Sequence, residues 1–113
     1  MAVTVANYIV NSGVGGKFVV LRLRDDPDSG ILLFSDFSRD FQHHDIVRRW
    51  EEANRSSVHA SGYNVAGGGW WKFEGDALVV YGQSAAYGRF DPVWVRERLR
   101  PGMVLYEARL DVR

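Results

Sequence analysis

Two short segments hold the residue types that perform phosphoryl chemistry. The first, Tyr81-Gly82-Gln83-Ser84-Ala85-Ala86-Tyr87-Gly88, follows the apolar run Ala77-Leu78-Val79-Val80-Tyr81. It sets a hydroxyl among small residues at the end of an expected strand. There, backbone N–H groups can approach a ligand closely and form an anion-binding concavity. The second, Gln42-His43-His44-Asp45-Ile46, puts two imidazoles at the expected start of a helix. An oxyanion pocket together with a histidine points to phosphoryl chemistry. A plain strand-to-loop transition also accounts for the first segment.

The elements that must carry these residues are legible in the patterning. Val3 to Val10 reads as a strand and Asn11 to Gly16 as a turn. Lys17 to Leu23 is a second strand, too continuously apolar at Val19, Val20 and Leu21 to face water on both sides. Arg24 to Gly30 is a loop by composition, and Ile31 to Phe34 a short strand. From Phe41 to Ala53 the period becomes helical, with Ile46, Val47, Trp50 and Ala53 on one face; Asp40 is the candidate N-cap and Asp45 a further acidic residue near the positive end. Asn54 to Ala66 carries no clear signal. Trp70 to Phe73 and Ala77 to Tyr81 flank Glu74-Gly75-Asp76 as a hairpin. Asp91-Pro92 opens a short helix through Leu99, Pro101-Gly102 ends it, and Met103 to Val112 is a last strand. Together these make one α+β domain, 1–113, with a mixed β-sheet flanked by two helices and with Trp50 and Trp94 filling the core.

Bulk composition narrows the function. A chain of 113 residues, 46% hydrophobic and 13% aromatic, supports a packed core. Its 14 basic and 14 acidic residues cancel, so no global field recruits nucleic acid or a membrane. Arg48, Arg49, Arg96, Arg98 and Arg100 read as solvated helix faces, and aromatic stacking of bases is the weaker use of the tryptophans. The absence of cysteine excludes disulfides, thiolate metal sites and a cysteine-based phosphatase mechanism. No apolar run has membrane-span length and the start lacks a basic-then-apolar signal pattern, so the expectation is a cytoplasmic protein.

The two chemical segments, read together, resemble the phosphohistidine phosphatase (Janus/Ocnus) family. Its vertebrate members carry a Tyr-Gly-x-Ser-x-Ala-Tyr-Gly block, matched from Tyr81 to Gly88 at every fixed position. The triple glycine Gly67-Gly68-Gly69, upstream of a hairpin, is similar to the family's. His43, Asp45 and Ile46 match its His-x-Asp-Ile block, and Lys17-Phe18-Val19 its early Lys-aromatic-Val strand. The blocks run in the family's order from Lys17 to Gly88. The octapeptide is fairly specific, and each of the others is weak by itself.

The resemblance implies His43 as the catalytic residue and the same fold. A histidine with a pKa of about 6.5 is largely neutral near pH 7. It can deprotonate an attacking water or take the phosphoryl group itself, and the sequence does not separate these routes. The resemblance further implies that Lys17, the Ser84 hydroxyl and the Ala86 backbone N–H contact the phosphate. His44 stands where vertebrate members have alanine. Adjacent helical residues point about 100° apart, so His44 is expected to offer its backbone N–H to the phosphate and its ring to solvent. Adjacent histidines are also poor metal-ligand spacing on a helix, and no metal or other cofactor is expected. At the helix start, free N–H groups favour an anion by roughly 0.3–1 kcal/mol.

One position departs from the family. Trp70 follows the triple glycine where vertebrate members have an arginine near the active site, so a fork of donors gives way to an apolar surface. Arg22, Arg39 and Arg89 are candidates to compensate.

The expected function is a metal-independent protein histidine phosphatase-like hydrolase (a phosphoric monoester or phosphoramidate hydrolase). Its partners are a phosphohistidine-containing protein or a small phosphoramidate, with no nucleic acid and no membrane, acting as a monomer. The alternatives are a non-catalytic phosphopeptide- or anion-binding module using the same pocket, and a regulatory partner protein with a vestigial pocket. For the last, the Trp70-Trp71 pair is the support, although alternation in a strand would bury one of the two.

Overall fold

A strand that is apolar at every position needs cover on both faces, and this requirement organises the molecule. The computed structural model describes residues 3–7, 15–24, 26, 28–36, 42–53, 62–75, 77–98 and 109–113. Its elements are β1 (Val3–Asn7), β2 (Gly15–Leu23), β3 (Gly30–Asp36), α1 (His43–Ala53), β4 (Tyr63–Glu74), β5 (Ala77–Tyr81), α2 (Pro92–Arg98) and β6 (Arg109–Val112). The strands form one six-stranded sheet in the order β1-β3-β2-β4-β5-β6. The edge strands β1 and β6 run parallel to their neighbours, and the inner pairs are antiparallel.

The central strand β2 is buried throughout Phe18, Val19, Val20 and Leu21. Alternation divides these side chains between two cores. Phe18 and Val20 pack with Leu32, Phe34, Trp71, Leu78 and Val80 against Trp94 and Val95 of α2. Val19 and Leu21 pack with Ile31 and Leu33 against Ile46, Val47 and Trp50 of α1. The two helices therefore cover opposite faces of the sheet, the mixed-sheet α+β arrangement expected from the patterning.

Helix starts follow local chemistry. The Asp91 carboxylate accepts from the N–H groups of Val93 at 2.9 Å and Trp94 at 3.2 Å, capping α2 with Pro92 in its first position. In α1 the Asp45 carboxylate reaches back to the Gln42 N–H at 3.1 Å, the acidic arm of a capping box. Asp40, the expected cap, lies outside the described residues, as do Tyr8 to Val10, Leu99 and Met103 to Ala108 of the expected elements.

Two expectations are corrected. Strand β4 is 12 residues long and includes Tyr63 to Gly69, which carry little strand signal; pairing along β2 overrides the weak propensity of three glycines. Arg98 is not a solvated helix charge. It is 7% exposed, lies over the Trp94 ring at 4.5 Å, and donates to the Asp28 carbonyl at 2.8 Å and the Trp94 carbonyl at 3.1 Å.

Strand β4 also changes phase. Val19 pairs with Gly68 while Leu21 pairs with Val65, so Ala66 and Gly67 together oppose Val20. This bulge reverses the alternation. Val65 packs on the α1 side, whereas Trp71 and Phe73, also odd-numbered, lie on the α2 side. Gly68 and Trp70 consequently face α1.

Candidate functional site

The first residue of α1, His43, is driven onto the sheet because the helix's apolar stripe faces β2 and β3. Its side chain is 5% exposed, and Nε2 lies 2.8 Å from the Gly69 carbonyl oxygen. A carbonyl only accepts, so Nε2 carries the proton and Nδ1 carries the lone pair of a neutral imidazole. Burial lowers the His43 pKa below its ordinary value; the bond to Gly69 acts against this, and the nearby Lys17 charge lowers it further.

Such close approach requires a strand without a side chain beneath the ring. A Cβ on Gly68 would meet His43 Cδ2 at 3.1 Å, Ser84 Cβ at 3.4 Å and the Phe18 carbonyl oxygen at 2.6 Å. Gly68 is thus the floor on which His43 and Ser84 converge.

The octapeptide reaches that floor by closing on itself. Ser84 and Gly88 exchange backbone bonds, Ser84 N–H to Gly88 O at 3.1 Å and Gly88 N–H to Ser84 O at 2.9 Å. The Gly68 N–H also donates to Gly88 O, at 3.1 Å, docking the loop on β4. Ser84 is 2% exposed, and its Oγ accepts from the N–H groups of Ala86 at 3.2 Å and Tyr87 at 3.1 Å. Both lone pairs of the hydroxyl are then engaged, and its remaining capacity is to donate.

That arrangement differs from the expectation for Ala86. Its N–H is directed to Ser84 Oγ within the loop, a local side-chain-to-backbone turn. His44 is at the second position of α1 with its side chain 51% exposed and Nε2 3.4 Å from Asp45 Oδ1, so its ring faces outward. The helix start is not bare, since Asp45 also pairs with Arg48 at 2.9 Å.

Lys17 and Trp70 are register partners on β2 and β4. The Lys17 ammonium lies 4.7 Å from the Trp70 ring centroid, and the ring stands perpendicular to the His43 imidazole with centroids 5.9 Å apart. Lys17, His43, Trp70 and Ser84 therefore share one region on the α1 side of β4. Of the candidate compensating arginines, Arg22 lies against the Trp94 ring on the other face. Arg89 donates to the Gly82 and Arg113 main-chain oxygens, and Arg39 is outside the described residues.

The Gly69 carbonyl and the Gly68 floor had no counterpart among the residues singled out for chemistry. A glycine run within a strand is the available signal, because it marks close approach of another group. Among the described residues no helix is long and apolar enough to cross a membrane. No protein-family model matches the chain, and a search of curated proteins finds no match either.

Proposed function

We propose that the protein is a metal-independent phosphatase that hydrolyses the P–N bond of phosphohistidine, in proteins or small N-phosphorylated compounds. On this reading its sheet is that of the phosphohistidine phosphatase family and it acts as a cytoplasmic monomer. The observation that carries the reading is the buried His43 imidazole, its tautomer set by the Gly69 carbonyl, meeting the Ser84 side chain over Gly68 with the Lys17 charge acting on the ring.

The reaction needs a positioned phosphoryl group, neutralised oxygens and a base or nucleophile. Lys17 supplies the positive charge and Ser84 a hydroxyl donor. His43 Nδ1 takes a proton from water as the water oxygen bonds to phosphorus. The P–N bond breaks, and the departing nitrogen takes the proton that His43 received. In the covalent variant Nδ1 bonds to phosphorus as the substrate P–N bond breaks and the departing nitrogen takes a proton from solvent; a water then attacks phosphorus, the Nδ1–P bond breaks and phosphate leaves. General-base assistance contributes roughly 10²- to 10⁴-fold.

A non-catalytic anion-binding module is the second reading, favoured by Trp70 in place of a phosphate-gripping arginine. Phosphate release from phosphohistidine and from phosphoramidate, without added metal, separates the two. The phosphatase reading requires turnover by wild type that His43→Ala abolishes and His44→Ala retains. Saturable phosphate binding with no turnover across pH 5 to 9 would leave the binding module.

A further inference from the structure

Trp70 is the residue at this site whose chemistry phosphoryl transfer does not use. It has no anion-gripping fork and cannot act as a base. Yet it touches both residues on which the proposed reaction depends, through the perpendicular contact with His43 and the ammonium of Lys17 near its ring. Its own place is fixed by the loop after β5. Gly82 has φ of 76°, and a Cβ there would come within 2.7 Å of Trp70 Cδ1. The indole is seated where only glycine permits it.

A lysine stem has four rotatable carbons and a strongly hydrated head, so by default the ammonium samples solvent. An aromatic face attracts a cation electrostatically and narrows that sampling. We propose that Trp70 is a positioning residue, its ring holding the Lys17 ammonium beside His43 where an incoming phosphoryl group must sit. This rests on reading His43 and Lys17 as the phosphoryl site.

Other charged or titratable side chains on the elements around His43 are differently engaged. Asp45 pairs with Arg48, His44 lies beside Asp45, Lys72 of β4 lies against Tyr81, and Arg89 is bound to main-chain oxygens. Tyr87 follows Ser84, and the negative charge acting on it is that of Glu51. The charge acting on the imidazole is that of Lys17, which adds to the effect of burial.

The test is a double-mutant cycle read by the His43 imidazole resonance in an NMR pH titration, on wild type, Trp70→Leu, Lys17→Met and the double variant. Trp70→Leu should move the His43 midpoint upward. Lys17→Met should move it upward too, and the double variant no further than Lys17→Met alone. Trp70→Phe, which keeps a ring face and disturbs packing least, should stay near wild type. A shift from Trp70→Leu that is equally large with and without Lys17 would overturn the proposal, because Trp70 would then act only by excluding water. So would Trp70→Phe behaving like Trp70→Leu. With inorganic phosphate as probe, Trp70→Leu should weaken binding roughly two- to fivefold, the weight of one cation–π contact, only when Lys17 is present. Wild type that neither binds phosphate nor turns over phosphohistidine sinks the phosphatase reading, while the NMR cycle still decides the role of Trp70.

Discussion

The His43 imidazole donates from Nε2 to the carbonyl of Gly69 across 2.8 Å, tying the first residue of α1 to the centre of β4. This bond selects the tautomer and leaves Nδ1 with the lone pair. Burial holds the ring neutral, which makes the linkage to stability directional. The unfolded chain binds the proton more readily, so stability is complete above the unfolded value of 6.5 and falls as pH drops through it toward the lower folded value. Urea denaturation of wild type between about pH 7.5 and 5.5 should show this loss, and His43→Gln should flatten it. Equal slopes for the two proteins would refute the assignment.

Gly68 admits no side chain. A Cβ would stand 2.6 Å from the Phe18 carbonyl, part of the backbone of the central strand, so the neighbour cannot yield. Gly68→Ala should destabilise by about 1–3 kcal/mol, as overpacking does. On the phosphatase reading it should also impair turnover, by separating His43 from Ser84. Stability within about 0.5 kcal/mol of wild type would show that the floor has slack.

Ser84→Ala removes a buried hydroxyl that accepts from two part-buried backbone N–H groups of an otherwise largely exposed turn. A cost of about 0.5–1.5 kcal/mol is expected in thermal or chemical unfolding, because water can reach the freed N–H groups. If the hydroxyl also donates to phosphate, the substrate KM should rise roughly ten- to a hundredfold, the range for a charge-assisted bond. A stability loss with unchanged KM would confine Ser84 to holding the loop.

Arg98 anchors the end of α2 to the segment before β3 through the Asp28 carbonyl and Asp28 Oδ1 at 3.1 Å, and it also donates to the Trp94 carbonyl of its own helix. Arg98→Met should cost about 1–3 kcal/mol from lost hydrogen bonds. Asp28→Asn should cost under about 1 kcal/mol, because the Asp28 side chain is 70% exposed and its charge is screened. Comparable losses in the two variants would transfer the importance from the carbonyls to the ion pair.

Tyr63 has its phenol pushed up to about 12, by burial first and then by hydrogen bonding to and the charge of Glu51. Its neutral form is the one the fold favours. That contribution to stability is present below the ordinary value of 10.0 and is lost as pH rises through the folded value. Ultraviolet titration should reveal a late-ionising tyrosine that Tyr63→Phe removes. Its persistence in that variant would assign the phenol elsewhere.

The framework of the fold is legible in the chain because its strongest signals are local. Continuous apolar runs at Val19 to Leu21 and Leu78 to Val80 demand a sheet covered on both faces, and the stripe of Ile46, Val47 and Trp50 supplies one cover. Asp91-Pro92 specifies a helix start through its own carboxylate. Ser84 and His43 stand out by residue type alone. What lies beyond the sequence is what depends on strand phase and backbone atoms. The bulge at Ala66 and Gly67 turns Trp70 toward His43 and buries Trp71; without it the alternation of β4 assigns those faces the other way. The Gly69 carbonyl, which sets the His43 tautomer, has no side chain to announce it. Arg98 looks like a surface charge until Trp94 and the Asp28 carbonyl close around it. Patterning reports which faces must be buried, whereas register decides which atoms meet across them.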